Sequence, residues 1–343
     1  MTESLQDIAR RLVAPGKGIL AADESSSTIK KRFDGIALES TADSRRDYRE
    51  MLFSANTAMR DYVSGVILFD ETIRQSARDG QSLVQLIESN GSIPGIKVDM
   101  GAKPLAFFPG ETVTEGLDGL RERLIEYHKL GARFAKWRAV ITIGENLPTA
   151  GALSANGHAL ARYAALCQEN GIVPIVEPEV LMDNPNATHT IETCQKVTEA
   201  TLLTVFEELE KARVDLTGMI LKPNMVVPGK DSGQIAAPSE VAERTVAVFH
   251  ATVPTSVPGI AFLSGGQSDV LATEHLSLIN QIGNRPWGIT FSYGRALQAA
   301  ALKAWGGKGE NVAAGQTAFL HRCRMNGLAS LGEWTADLER DAR

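Results

Sequence analysis

The chain is sparing with the residues that cross-link a fold or hold a metal: 343 residues include three cysteines and six histidines. Cys167, Cys194 and Cys323 lie far apart with no C-x-x-C spacing, so no disulfide framework is written here and a reducing, cytoplasmic setting is expected. His128, His158, His189, His250, His275 and His321 are scattered without an H-x-H or H-E-x-x-H pattern, and the expectation is no metal and no other cofactor. Positive charge is in deficit as well. Lys and Arg number 35 against 41 Asp and Glu, a net charge of −6. Nothing draws such a chain to nucleic acid or to an anionic membrane surface, and any anion site must be built locally. No apolar run approaches a membrane span. Leu5, Ile8 and Leu12 at helical spacing, with Glu3 and Asp7 among them, predict a surface helix rather than a signal or transit peptide.

What is present is a rhythm. Apolar runs of strand length recur at 18–23, 63–69, 95–99, 134–140, 173–179, 218–224, 259–265 and 287–294. Amphipathic helical stretches separate nearly all of them, at 44–57, 72–89, 117–130, 153–170, 189–212, 239–252 and 268–282. Alternation of this kind, with strands that are continuously apolar, predicts a parallel sheet buried on both faces. Eight such strands predict a closed (β/α)8 TIM barrel. A doubly wound open sheet is the alternative, but no G-x-G-x-x-G follows an early strand. Gly91, Gly131, Gly171 and Gly283 stand where helix C-terminal caps are expected. The predicted organisation is α/β: one barrel with extra N-terminal and C-terminal helices over residues 1–326, then a polar, weakly patterned tail over 327–343.

The residue that needs explaining is Lys222, which follows Met219, Ile220 and Leu221 and precedes Pro223. Burial disfavours an ammonium and favours the free amine, a nucleophile for ketones. A lone pattern of this kind reads better as a lysine snorkelling to water from a strand end. Its company changes the reading. Residues two apart on a strand share a face, and Lys97 with Asp99, Lys136 with Arg138, and Glu177 with Glu179 all obey that spacing near predicted strand ends. Asp23 ends the first strand and Lys222 the sixth. One such pair is better explained as a structural ion pair, but burying all of them on one rim costs hydration that stability alone does not justify. A reactive site at the carboxyl ends of the strands is the stronger reading.

Two further strand ends carry neutral anion-binding chemistry. FLSGGQ holds Ser264, Gly265 and Gly266, and FSYGR holds Ser292, Gly294 and Arg295. They follow the seventh and eighth strands, where barrels often bind phosphate. Opposite them, Ser25, Thr28, Lys31 and Arg32 near a helix start, with Lys97 alongside, fit a second phosphate site and a capped, solvated basic face about equally well.

Taken in order, GILAADES, GIKVD, FAKWR, PIVEPE, MILKPNM, FLSGGQS and FSYGRALQ resemble class I fructose-bisphosphate aldolase over most of the chain. The resemblance implies that Lys222 forms a Schiff base with the ketone of fructose 1,6-bisphosphate or dihydroxyacetone phosphate. It carries Asp23, Lys136, Arg138, Glu177 and Glu179 over as active-site groups. It assigns Ser264, Gly265, Ser292, Gly294 and Arg295 to the ketone-side phosphate, and Ser25, Thr28 and Lys97 to the aldehyde-side phosphate. It also implies a cytoplasmic homotetramer with small phosphorylated sugars as its substrates. Two departures stand out. The loop LMDNPNATHT lacks the Gly-Asp-His-Asp pattern of many relatives, and the chain lacks their terminal tyrosine, the last tyrosine being Tyr293. Two rival readings are another Schiff-base barrel, such as a transaldolase or deoxyribose-phosphate aldolase, and a scaffolding protein that keeps the fold without turnover. The first needs one phosphate site, and the second should have lost Lys222 or Glu177.

Overall fold

Strands that are apolar on both faces need cover on both, and closure supplies it. The computed structural model describes residues 3–340. In it eight parallel strands form a closed barrel: β1 Gly18–Ala22, β2 Val63–Leu68, β3 Ile93–Lys97, β4 Phe134–Ile141, β5 Val173–Val180, β6 Ile220–Leu221, β7 Gly259–Phe262 and β8 Gly288–Tyr293. Each strand pairs with its neighbours in sequence, and β1 closes the ring against β8. Most strands are buried along their whole length, as their unbroken apolar runs require.

The lower barrel interior is filled by Ile19, Ala21, Ile67, Ile93, Phe134, Val173, Ile175, Ile220 and Ala261. The Phe134 ring takes the space of two side chains: a Cβ on Gly95 would lie 2.3 Å from it and one on Gly65 2.9 Å. The first helix, Leu5–Leu12, is not the surface helix its charge pattern suggested. It buries Ile8, Ala9 and Leu12 against this layer and plugs the bottom of the barrel. Its apolar stripe is the lid the open strand ends need.

Two predicted helices are broken. Residues 44–57 fall into Ala42–Phe53 and Asn56–Tyr62, and residues 72–89 into Asp70–Ile73 and Leu83–Ser89, with Gly80 at φ 91° in the intervening loop. A short antiparallel hairpin, Ala102–Pro104 with Thr112–Thr114, follows β3 and was not anticipated. Gly91, Gly131 and Gly171 take positive φ past their helices, whereas the helix Asp269–Gln281 ends on Ile282 without a left-handed glycine at 283.

The tail boundary after residue 326 is corrected too. The helix Val312–Ser330 runs through it, with Asn326, Gly327 and Ala329 buried. Trp334 packs into the core at 7% exposure and donates its indole N–H to Glu339 at 3.0 Å. The other Glu339 oxygen accepts from buried Arg322 at 2.6 Å and lies 3.0 Å from His321. Weak patterning misled because this helix buries residues on several sides, so no single apolar stripe marks it. Residues 341–343, the end of the predicted tail, lie outside the described residues. Trp334→Ala should therefore destabilise the fold by about 3 kcal/mol or more. Thermal unfolding checks it, and an unchanged Tm would return this segment to the role of a tail.

Candidate active site

Strand alternation puts the charged residues directly above the apolar layer. In register, Lys97 on β3 pairs with Lys136 on β4, and Arg138 on β4 pairs with Glu177 on β5. Two like-charged lysines side by side are tolerable only if carboxylates interleave, and they do. Lys136 Nζ lies 2.7 Å from Asp23, 3.5 Å from Glu177 and 4.0 Å from Asp99. Lys222 Nζ lies 3.1 Å from Glu177 Oε1, so Glu177 sits between two lysine side chains. Asp99 also faces Lys97 at 3.6 Å, and Glu179 accepts from Arg138. Lys136, Lys222, Glu177, Glu179 and Asp99 are buried, and Asp23 and Lys97 nearly so.

Burial pushes the Asp23 carboxyl up, but Lys136 and Lys222 outweigh it and hold it well below the usual carboxylate range. Glu177 is treated the same way: burial raises it, and Lys222 and Lys136 bring it below its ordinary value. Burial opposes the Lys136 charge, yet Asp23, Glu177 and Asp99 raise its affinity for the proton. The site is thus a charged lattice at neutral pH, in which each charge depends on its neighbours. Among the described residues no group of three or more His, Cys, Asp or Glu is placed to hold a metal ion.

Above the lattice opens a cavity of ≈ 530 Å³ lined by Lys222, Glu177, Arg138 and Glu179 on one side and by phosphate-type groups on the other. Ser264 and Gly265 follow β7, and Ser292, Gly294 and Arg295 close β8. Gly265 has φ 52°, and a Cβ on Gly266 would lie 2.7 Å from that of Asp183, so this turn admits little but glycine. Gly294 caps the helix Arg295–Trp305, whose first turn offers unpaired backbone N–H groups to an anion. The Ser292 hydroxyl is buried and without a hydrogen-bond partner. Arg295 donates to the carbonyls of Gly265 at 2.9 Å and Gln267 at 3.4 Å, tying the two phosphate-type strand ends together.

A model of the family described as fructose-bisphosphate aldolase class-I matches residues 4–343. The chain belongs to the class I fructose-bisphosphate aldolase family. It is 56% identical over 333 residues to a probable fructose-bisphosphate aldolase class 1 of Xanthomonas campestris, covering 97% of this chain and 98% of that one. It is 52% identical to the cytosolic fructose-bisphosphate aldolase 4 of Arabidopsis thaliana, over 95% of this chain and 82% of the relative. Among solved structures, the fructose-bisphosphate aldolase of Plasmodium falciparum, in complex with TRAP and a small-molecule inhibitor, superposes with TM-score 0.93 at 46% identity, over 97% and 95% of the two chains. The activity is that of a lyase, the aldol cleavage of fructose 1,6-bisphosphate in glycolysis, by the Schiff-base route that class I denotes.

Within this aldolase site, Asp23, Lys97, Lys136, Glu177 and Lys222 are brought into one lattice, and Arg138, Glu179, Ser264, Gly265, Ser292, Gly294 and Arg295 line the cavity with Thr28. Ser25 does not line it. Its hydroxyl caps the helix Ser26–Asp34, accepting from Thr28 N at 3.4 Å and lying 3.0 Å from Thr28 Oγ1. Lys97 and Gly266 also stand outside the lining. Lys31 and Arg32, left open between a solvated face and a phosphate site, do line it, and Arg32 is steadied by buried Glu24, which buried Arg49 also holds at 3.3 Å. Asp183 and Leu263 were not anticipated, because neither sits in a charged pair or beside a glycine that marks it. His189 is buried away from the cavity, and a Cβ on Gly229 would lie 3.0 Å from its Nδ1.

Lys136→Met would leave Asp23, Glu177 and Asp99 facing one another, at a cost of about 3 to 5 kcal/mol near neutral pH. Carboxylates held below their ordinary values stabilise above those values and lose that contribution as pH falls. The stability gap between wild type and variant should thus narrow below roughly pH 4. Denaturant titrations at several pH values measure it, and a gap independent of pH would show that the lattice is not electrostatically coupled.

Proposed function

We propose that Lys222 is the Schiff-base lysine of a reversible cleavage of fructose 1,6-bisphosphate to dihydroxyacetone phosphate and glyceraldehyde 3-phosphate. The observation that carries this is the 3.1 Å contact between buried Lys222 and Glu177 at the floor of a cavity that phosphate-type groups surround. Glu177 takes the proton Lys222 must shed, and the amine attacks the C2 ketone to give a carbinolamine. Glu177 returns that proton to the carbinolamine hydroxyl, water leaves, and an iminium forms. Asp23, a carboxylate at neutral pH, removes the C4 hydroxyl proton while the C3–C4 electron pair moves into the iminium. Glyceraldehyde 3-phosphate departs and an enamine remains. Protonation at C3 and hydrolysis then release dihydroxyacetone phosphate and restore the lysine. Lys136 stays an ammonium throughout and holds Asp23 and Glu177 in place.

Ser264, Gly265, Ser292, Gly294 and Arg295 take the ketone-side phosphate, and Thr28, with Ser25 shaping its helix start and Lys97 nearby, the aldehyde-side phosphate. Arg138 and Glu179 contact the substrate backbone between them. Enamine protonation falls to fixed barrel groups or water, because Trp334 and Glu339 are engaged in the outer layer of the fold. A cytoplasmic homotetramer is proposed as well. Three buried free cysteines suit a reducing compartment. Phe107, beside the short hairpin, and Ile235, after β6, are fully exposed and suit subunit contacts.

Three measurements test this reading. Borohydride with dihydroxyacetone phosphate should label Lys222 alone, and Arg295→Ala should still be labelled there but with kcat/KM for the bisphosphate reduced roughly 10- to 150-fold, as loss of a contact worth about 1.5 to 3 kcal/mol implies. A label on another lysine would sink the mechanism. Light scattering should give a mass four times that of the chain, and a monomer would remove the tetramer.

A further inference from the structure

The seam between β5 and β6, which carries Glu177 and Lys222, is a short and irregular part of the barrel wall. β6 is two residues long, and its register with β5 is Ile175 with Ile220 and Val176 with Leu221. One further bond follows, Lys222 N–H to Val176 O at 2.8 Å. At the next level Pro178 in β5 has no N–H to offer β6, while Pro223, at the same level after β6, turns its peptide toward β7. The ladder between β5 and β6 thus stops at Lys222, and the backbone does not continue it above the reacting level.

A side chain does. Asn224 is 4% exposed, and its Oδ1 accepts from Val180 N–H at 3.0 Å, beyond the gap Pro178 leaves. Its Nδ2 donates to Thr198 Oγ1 at 3.1 Å and to Met225 O at 3.0 Å, anchoring it to the helix Ile191–Lys211 behind β5. On the opposite side, Pro223 O accepts from Leu263 N–H at 3.2 Å and keeps β7 attached. The carboxamide therefore stands in for a missing ladder bond and fixes β5 and β6 relative to one another, two residues beyond Lys222 and three beyond Glu177.

We infer that Asn224 is a positioning residue for Schiff-base formation: its bond to Val180 keeps Lys222 within proton-transfer distance of Glu177. This rests on the assignment of Lys222 as the nucleophile. Asn224 lies outside the cavity lining, so its loss should leave substrate affinity nearly intact and slow the steps that need the pair aligned. A misplacement on the order of 1 Å costs roughly 100-fold in such steps.

The test uses the full chain, rapid-quench borohydride trapping with dihydroxyacetone phosphate, peptide mass spectrometry and steady-state kinetics. Asn224→Ala is expected to slow trapping at Lys222 and kcat by about tenfold or more, with KM within about threefold of wild type. Thr198→Val, which removes one anchor and leaves the Val180 bond, should slow trapping less. A folded Asn224→Ala protein that traps at the wild-type rate, losing only Tm, overturns the inference. If Asn224→Ala does not fold, Thr198→Val decides, and wild-type trapping there overturns it. A wild-type label away from Lys222 instead overturns the assignment beneath it.

Discussion

The site depends on one balance: Lys136 held by Asp23, Glu177 and Asp99 at the level where the barrel interior turns from apolar to charged. Each of these groups pays a desolvation penalty that only its neighbours offset. The same balance fixes the protonation states the reaction uses. Asp23 is an anion because Lys136 and Lys222 outweigh its burial, and Glu177 lies 3.1 Å from Lys222 at the cavity floor. Stability alone does not account for the lattice, since a hydrophobic replacement of similar volume would fill the same space at less cost.

Everything below the lattice serves to make it rigid. Phe134, given room by Gly65 and Gly95, packs the lower interior, and the helix Leu5–Leu12 seals it from beneath. With the bottom filled, the charged residues have one direction open to them, the cavity where substrate enters. The outer layer reaches as far as Glu339, which engages Arg322 and His321 and secures the last described helical turn.

The cavity is also asymmetric in a way that suits a bisphosphate. The β7 and β8 ends present a glycine turn, a helix start and an unpartnered serine, all backbone-dominated and compact. Opposite them the helix Ser26–Asp34 presents Thr28, Lys31 and Arg32 from a single side. A substrate charged at both ends can bridge these two regions across the cavity floor that holds Lys222. A substrate with one phosphate has no such reason to span the cavity.

The sequence by itself determined the barrel, its eight strands and the charged rim, because strand periodicity is local and a parallel barrel converts it directly into an inside and an upper edge. Lys222 and Asp23 were legible because each ends an apolar run, and Lys136 and Glu177 because each is a charge set inside or late in one. Tertiary structure alone decided the partners. Which carboxylate meets which lysine depends on register between strands distant in sequence, and that register places Lys97 beside Lys136 and puts Pro178 where the β5–β6 ladder would continue, a gap that Asn224 spans. It also decided the fate of the ends. The first helix looked like surface and the last segment like a tail, since a polar stretch carries no local sign of the buried tryptophan or arginine it will cover.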